Sequence, residues 1–166
     1  MSLKDAFIAE LKHETSLTHK MLERVPMDKA DWKPHERSMP LGKLATHVAE
    51  IPHWISTIIN IDEFDFQKHY QPVPVTSSAA ELLKISEEKT AAAIADLEKM
   101  TDAEFEKTWV VKQGDKVYFQ LPKKVAIRSW AFSHQFHHRG QLSVYLRLLD
   151  IPVPGMYGPT ADEAFS

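Results

Sequence analysis

The chain has 166 residues, 43% hydrophobic and 26% charged, with a formal net charge of -3 and no cysteine. That is the size of one domain with an ordinary globular composition, long enough for a substantial core. The charge balance excludes a basic nucleic-acid footprint, and the missing cysteines exclude disulfides, thiolate metal ligands and a protein thiol nucleophile.

Apolar residues Leu3, Phe7, Ile8, Leu11, Leu17, Met21 and Leu22 fall mostly three and four apart. They predict a first amphipathic helix from Leu3 to Arg24, ended by Val25-Pro26. Met27 to Met39 reads as a loop in which Trp32 anchors the chain onto the core. A second helix is expected from Pro40 to Asp62, bent at Pro52, which lacks a backbone donor. Phe64 to Val75, with Pro72 and Pro74, reads as a long connection. A third helix starts near the cap region Thr76-Ser77-Ser78 and runs through the alanine-rich stretch to Met100. Two β-prone runs within Thr108–Leu121 flank Gln-Gly-Asp-Lys and predict a β-hairpin. Pro122 opens a fourth helix reaching Leu149. Ile151-Pro-Val-Pro-Gly155 breaks it before a tail from Met156 to Ser166. The expected fold is all-α: one domain over residues 1–166, a four-helix bundle with a small β-hairpin inserted before the last helix. No apolar stretch approaches the roughly 20 residues of a membrane span, and the N-terminus lacks a signal-peptide core. The chain therefore reads as cytoplasmic, with neither a membrane nor a nucleic-acid partner.

Three histidines stand out on this framework: His47 in the second helix, and His134 and His138 in the fourth. Positions i and i+4 share one helix face, so His134 and His138 can ligate one ion. On a helical wheel they and Gln141 share an otherwise apolar face with Ile127, Trp130, Tyr145 and Leu148. His47 is likewise central on a stripe with Leu44, Ile51, Trp54 and Ile58, whereas His53 falls on the solvent side. Burying three imidazoles is costly unless their nitrogens find partners, and a metal is one economical partner. For any one of them the commoner role is a hydrogen-bonded core histidine. Three nitrogens with an open position would make a catalytic site rather than a closed structural one. Nitrogen ligation suits Zn, Ni, Fe or Co and disfavours Cu(I).

The remaining candidates are secondary. Gln141 either orients a ligand histidine or is a buried glutamine bonded to a neighbouring helix. His137 could replace His138 as the i+3 partner of His134, but its place at the edge of the stripe favours a contact behind the ligands or at the rim, where it or Gln141 would orient the site. Glu50 is one turn from His47 and within reach of its ring, though its position fits a solvated face. Gly140 suits a close helix contact, and Arg139 ties the outer face of the bundle to a neighbour. His13, His19, His35 and His69 read as surface residues. No Glu-x-x-His pair supports a di-iron carboxylate site. Phe132, Phe136 and Leu146 make the last helix apolar away from the histidines, which suggests a homodimer.

Leu44-Ala-Thr-His-Val-Ala-Glu-Ile-Pro-His-Trp54, Ser133-His-Gln-Phe-His-His-Arg-Gly-Gln-Leu142 and Ile151-Pro-Val-Pro-Gly-Met-Tyr-Gly158 resemble the DinB-like (damage-inducible) family, as does Asp31-Trp-Lys-Pro34. The resemblance implies a commonly dimeric four-helix bundle holding one divalent ion on three histidines. Carried onto this chain those are His47, His134 and His138, with Zn or Ni favoured and Fe or Co compatible. It also implies kinship with metal-dependent S-transferases that use low-molecular-weight thiols such as bacillithiol, and with mycothiol-dependent isomerases. The expected function is metal-dependent thiol S-transfer to an electrophile, the nucleophile arriving with the cosubstrate. A metal-dependent hydrolase and a non-enzymatic metal-binding stress-response protein are the alternatives.

Overall fold

The structure, a computed structural model, describes residues 2–164. Helix α1 (Leu3–Leu22) opens on a capping box, the Ser2 hydroxyl accepting from the Asp5 amide and the Asp5 carboxylate from the Ser2 amide. Its predicted apolar face is the buried one: Phe7, Leu11, Leu17, Met21 and Leu22 all lie in the core. In the loop that follows, Trp32 sets its ring edge-on to Tyr145, centroids 5.7 Å apart, and so anchors the segment.

The expected second helix is broken into α2 (Leu41–Glu50) and α3 (His53–Asn60). Pro52 has no amide to offer the Val48 carbonyl four residues back. The Gln135 side chain supplies the missing donor, Nε2 lying 3.3 Å from that carbonyl oxygen.

The connection expected from Phe64 to Val75 holds structure that the sequence reading missed. Strand β1 (Glu63–Asp65) leads into a short helix α4 (Phe66–His69). Helix α5 (Ala79–Lys99) then starts in the predicted cap region, at Ser78, whose hydroxyl accepts from the Glu81 amide. After one turn of helix, α6 (Asp102–Phe105), the hairpin forms as expected from β2 (Thr108–Gln113) and β3 (Lys116–Pro122). Its turn uses Gly114 at φ 58°, a left-handed conformation that glycine adopts without strain. β1 pairs parallel to β2 on the other side, giving a three-stranded sheet ordered β1-β2-β3. The Gly114 amide donates to Asp65 Oδ1 at 3.1 Å and ties the hairpin turn to β1. The chain is thus mostly helical with a small three-stranded sheet, one strand more than the expected hairpin.

The last helix begins after Pro122 as α7 (Lys123–Ala126), passes through a π-helical stretch (Ile127–Phe132) and continues as α8 (Ser133–Leu148). Asp150 at φ 58° closes it, with the Ile151 amide reaching back to the Leu146 carbonyl. Beyond it the tail is held rather than loose, through ion pairs of Asp162 with Arg147 and Glu163 with Arg24. The final two residues of the expected tail lie outside the described residues.

Helix α2 packs between α5 and α8, and α3 packs on α5 and the π stretch. One apolar cluster gathers Phe7, Trp54, Ile58, Leu97, Trp109 and Ile127; a second gathers Leu22, Leu44, Val48, Leu82, Leu142 and Leu146. The residues that suggested a dimer are covered from within the chain. Phe132 stacks on Phe7 at 5.9 Å, Phe136 meets Tyr157 edge-on at 6.3 Å, and Leu146 belongs to the second cluster. No helix among the described residues is long and apolar enough to cross a membrane.

Candidate metal centre

Leu44 and Val48 on α2 and Leu142 and Tyr145 on α8 share one apolar cluster, so the two helices are held side by side. That packing brings His47, near the end of α2, against His134 and His138, one turn apart on α8. One ligand-capable atom from each ring lies within 4.8 Å of the others. His47 Nε2 and His134 Nε2 are 3.1 Å apart.

The outer nitrogens explain why the inner ones are free. His47 Nδ1 lies 2.9 Å from Glu50 Oε1, and His138 Nδ1 lies 2.8 Å from Gln141 Oε1. The His134 ring is hydrogen-bonded to the Trp130 backbone. A carboxylate and a carbonyl can only accept, so each ring places its proton on the outer nitrogen and turns an Nε2 lone pair inward. Lone pairs 3.1 Å apart repel unless a cation lies between them. With metal–nitrogen bonds of about 2.0–2.1 Å, that separation corresponds to a bond angle of roughly 100° at the ion, within the tetrahedral range. The donor set therefore fits a divalent ion, and carboxylate, carbonyl and amide partners behind the ligands are what such sites use to fix ring orientation.

Electrostatics point the same way. Burial, reinforced by the neighbouring His47 and His138, pushes the His134 pKa down to about 3. Burial also lowers His138, against the opposing bond to Gln141. Both rings are neutral at neutral pH, the form that ligates.

The DinB family model matches residues 1–164. This chain belongs to the DinB family. Within the family's neighbourhood, YrdA of Bacillus subtilis strain 168 is 25% identical over 163 residues, covering 96% of this chain and 90% of that protein. YjoA of the same organism is 26% identical over 149 residues, covering 89% and 91%. Two crystal structures share the fold. A DinB-like protein from Bacillus cereus ATCC 10987 superposes with a TM-score of 0.71 at 24% identity, covering 92% of this chain and 97% of that one. The YjoA structure does so with a TM-score of 0.69 at 20% identity, covering 91% and 97%.

On this DinB fold several residues sit differently from the wheel. Glu50 is not on a solvated face: it grips His47 with a side chain only 13% exposed. His53 is half-buried rather than solvent-facing, its Nδ1 2.8 Å from the Glu50 carbonyl oxygen. Arg139 is buried, not on the outer face, and pairs with Glu14 at 2.6 Å. Leu148 is exposed and Gly140 meets no neighbour, so neither belongs to a helix contact. Gln141 is exposed and bonded to His138, which leaves no place for it as a buried glutamine on another helix. His137 is exposed, its ring against His138 with centroids 4.7 Å apart, and makes no hydrogen bond into the cluster. His13, His35 and His69 are exposed as expected, while His19 is half-buried. Ile127 and Trp130 keep their expected places, Ile127 buried in the core and the Trp130 ring 6.1 Å from that of His134, although the π stretch adds residues per turn just before His134.

Gln135 is the functional neighbour that sequence reasoning overlooked. Its Nε2 donates to the Val48 carbonyl and to Thr18 Oγ1, at 3.3 and 3.1 Å. It thereby joins the residue after His47 to the residue after His134. The signal was Pro52, four positions beyond Val48, which announces an orphan carbonyl there. Beside the cluster, clefts of about 290 and 240 Å3 open on either side of Tyr70 and Val73, and both reach His47 and Glu50.

Proposed function

We propose that this DinB-family chain is a metal-dependent thiol S-transferase, with His47, His134 and His138 as ligands of one divalent ion, zinc or nickel first and iron or cobalt compatible. The observation that carries the metal assignment is the convergence of three Nε2 atoms whose outer N–H groups are already engaged by Glu50, the Trp130 carbonyl and Gln141. When bound, the ion would supply Lewis acidity that lowers a thiol's pKa toward neutrality. The protein's own part is positional. Glu50 and Gln141 hold two rings in one tautomer, and Gln135 keeps the two ligand helices in register. The adjoining clefts leave room for a cosubstrate and an electrophile to approach from the His47 side. With no cysteine in the chain, the sulfur nucleophile must come with the cosubstrate. The four-helix-bundle description, homodimer and cytoplasmic setting expected from the sequence accompany this reading as part of the proposal.

The test is a matrix of thiols (bacillithiol, mycothiol, glutathione, cysteine) against electrophiles such as monobromobimane and 1-chloro-2,4-dinitrobenzene, run on metal-loaded protein. Thiol consumption that disappears in His138→Ala is expected. Turnover of an activated ester without thiol consumption would favour a hydrolase instead, and unfolding on chelation with no turnover would favour a structural ion.

A further inference from the structure

The larger cleft beside His47 carries more chemistry than the proposed metal site uses. Its groups can be assigned as donors or acceptors from their fixed partners. His53 gives its Nδ1 proton to the Glu50 carbonyl oxygen at 2.8 Å, so its Nε2 is a bare acceptor. His69 accepts the Asp65 amide on Nδ1 at 2.9 Å, so a neutral His69 offers an Nε2–H donor. The Glu50 carboxylate, the acid on this wall, is taken up by His47. Lys89 at the rim has no carboxylate within ion-pairing distance among the described residues, although Lys84 on the same helix pairs with Glu88. The wall is aromatic: Trp54 packs edge-on to Phe64 at 4.9 Å, and its buried indole N–H has no hydrogen-bond partner.

We infer that this cleft binds a monocarboxylate with a flat apolar body, the carboxylate at Lys89 and His69 and the body along Trp54 and Phe64. One unpaired cation, Lys89, with one N–H donor, His69, matches a single negative charge. A phosphate dianion would meet the His53 lone pair and the nearby Glu50 carboxylate without a second cation to balance it. Because the cleft ends at His47, the bound molecule lies beside the candidate ion, which makes carboxylate-bearing compounds the substrate class. As a substrate class this rests on the metal-centre reading; as a binding site it does not.

The test uses 3-phenylpropanoate and 3-phenylpropanamide, which contain no thiol, titrated into zinc-loaded and into metal-free full-length protein. Binding is followed by 15N NMR at the Trp54 indole resonance. The carboxylate is expected to bind about five- to tenfold more tightly than the amide at low salt, less so at high salt. Lys89→Gln should erase that preference in both metal states, and Lys84→Gln should keep it. Equal binding of acid and amide, a preference that survives Lys89→Gln, or a silent Trp54 resonance would overturn the inference. Discrimination at Lys89 without any thiol turnover would sink the transferase reading alone. Turnover without discrimination would sink the carboxylate site alone.

Discussion

Helix α8 carries two inward polar clusters, and they are opposites. On one side Arg139 donates to Glu14 Oε2 at 2.6 Å, to the Glu14 carbonyl at 3.0 Å and to Thr18 Oγ1 at 3.0 Å. The Tyr157 hydroxyl donates to the same carboxylate at 2.6 Å, and burial, helped by that bond, pushes its pKa up to about 12. Among Arg139, Glu14, Thr18 and Tyr157 donors and acceptors answer one another, although the neighbouring Gln135 Oε1 is buried without a partner. On the other side His47, His134 and His138 spend their protons outward and turn three acceptors on one another. A polar cluster closed on itself serves the fold; one made of like partners calls for something from outside.

If that contrast is right, substitutions in the two clusters should separate stability from metal binding. The largest effect is expected at Arg139→Met, which strands the buried Glu14 carboxylate. Chemical denaturation should show a loss of about 3–5 kcal/mol, with the metal content of the folded fraction unchanged. On the histidine side the order reverses. Glu50→Ala should weaken metal affinity about 10- to 100-fold by competition titration, while the metal-free protein unfolds at nearly the wild-type denaturant concentration. Gln135→Leu sits between the clusters and should touch both. It orphans the Val48 carbonyl, so a loss of about 1–2 kcal/mol is expected together with a measurable drop in metal affinity.

A pH slope is also expected in the metal-free protein. His134 titrates near 3 when folded but near its ordinary 6.5 when unfolded, and burial moves His138 in the same direction. Between those values the unfolded chain binds more protons, so these two rings make stability fall as pH drops from about 6.5 toward 3. Urea midpoints at pH 7.5 and 5 check the sign in wild type and in a His134→Asn variant. The wild-type slope should be the steeper one, and equal slopes would remove His134 as the source.

Much of the histidine cluster was legible because helical spacing is local: His134 and His138 share a face whatever surrounds them, and His47 lies on an apolar stripe. What could not be read is what depends on distant partners or on broken helical geometry. Arg139 falls on the far side of the wheel from the histidines, yet that side is covered by α1 and the tail, where Glu14 and Tyr157 wait. Glu50 looks solvent-facing from its backbone position, but its side chain is long enough to reach back along the helix to His47. Strand β1 is three residues long and pairs in parallel with a distant segment, so no local alternation announces it. The π stretch left no mark in the hydrophobic pattern.

The most direct test is elemental mass spectrometry on untagged wild-type protein beside a His47→Ala/His138→Ala variant, with circular dichroism confirming that both are folded. Three converging acceptors should bring roughly one equivalent of a divalent ion with the wild type and none with the folded variant. A wild type that holds no ion, even after incubation with Zn, Ni, Fe and Co, would mean that the three rings are a hydrogen-bonded core cluster sharing a proton, and not a metal centre.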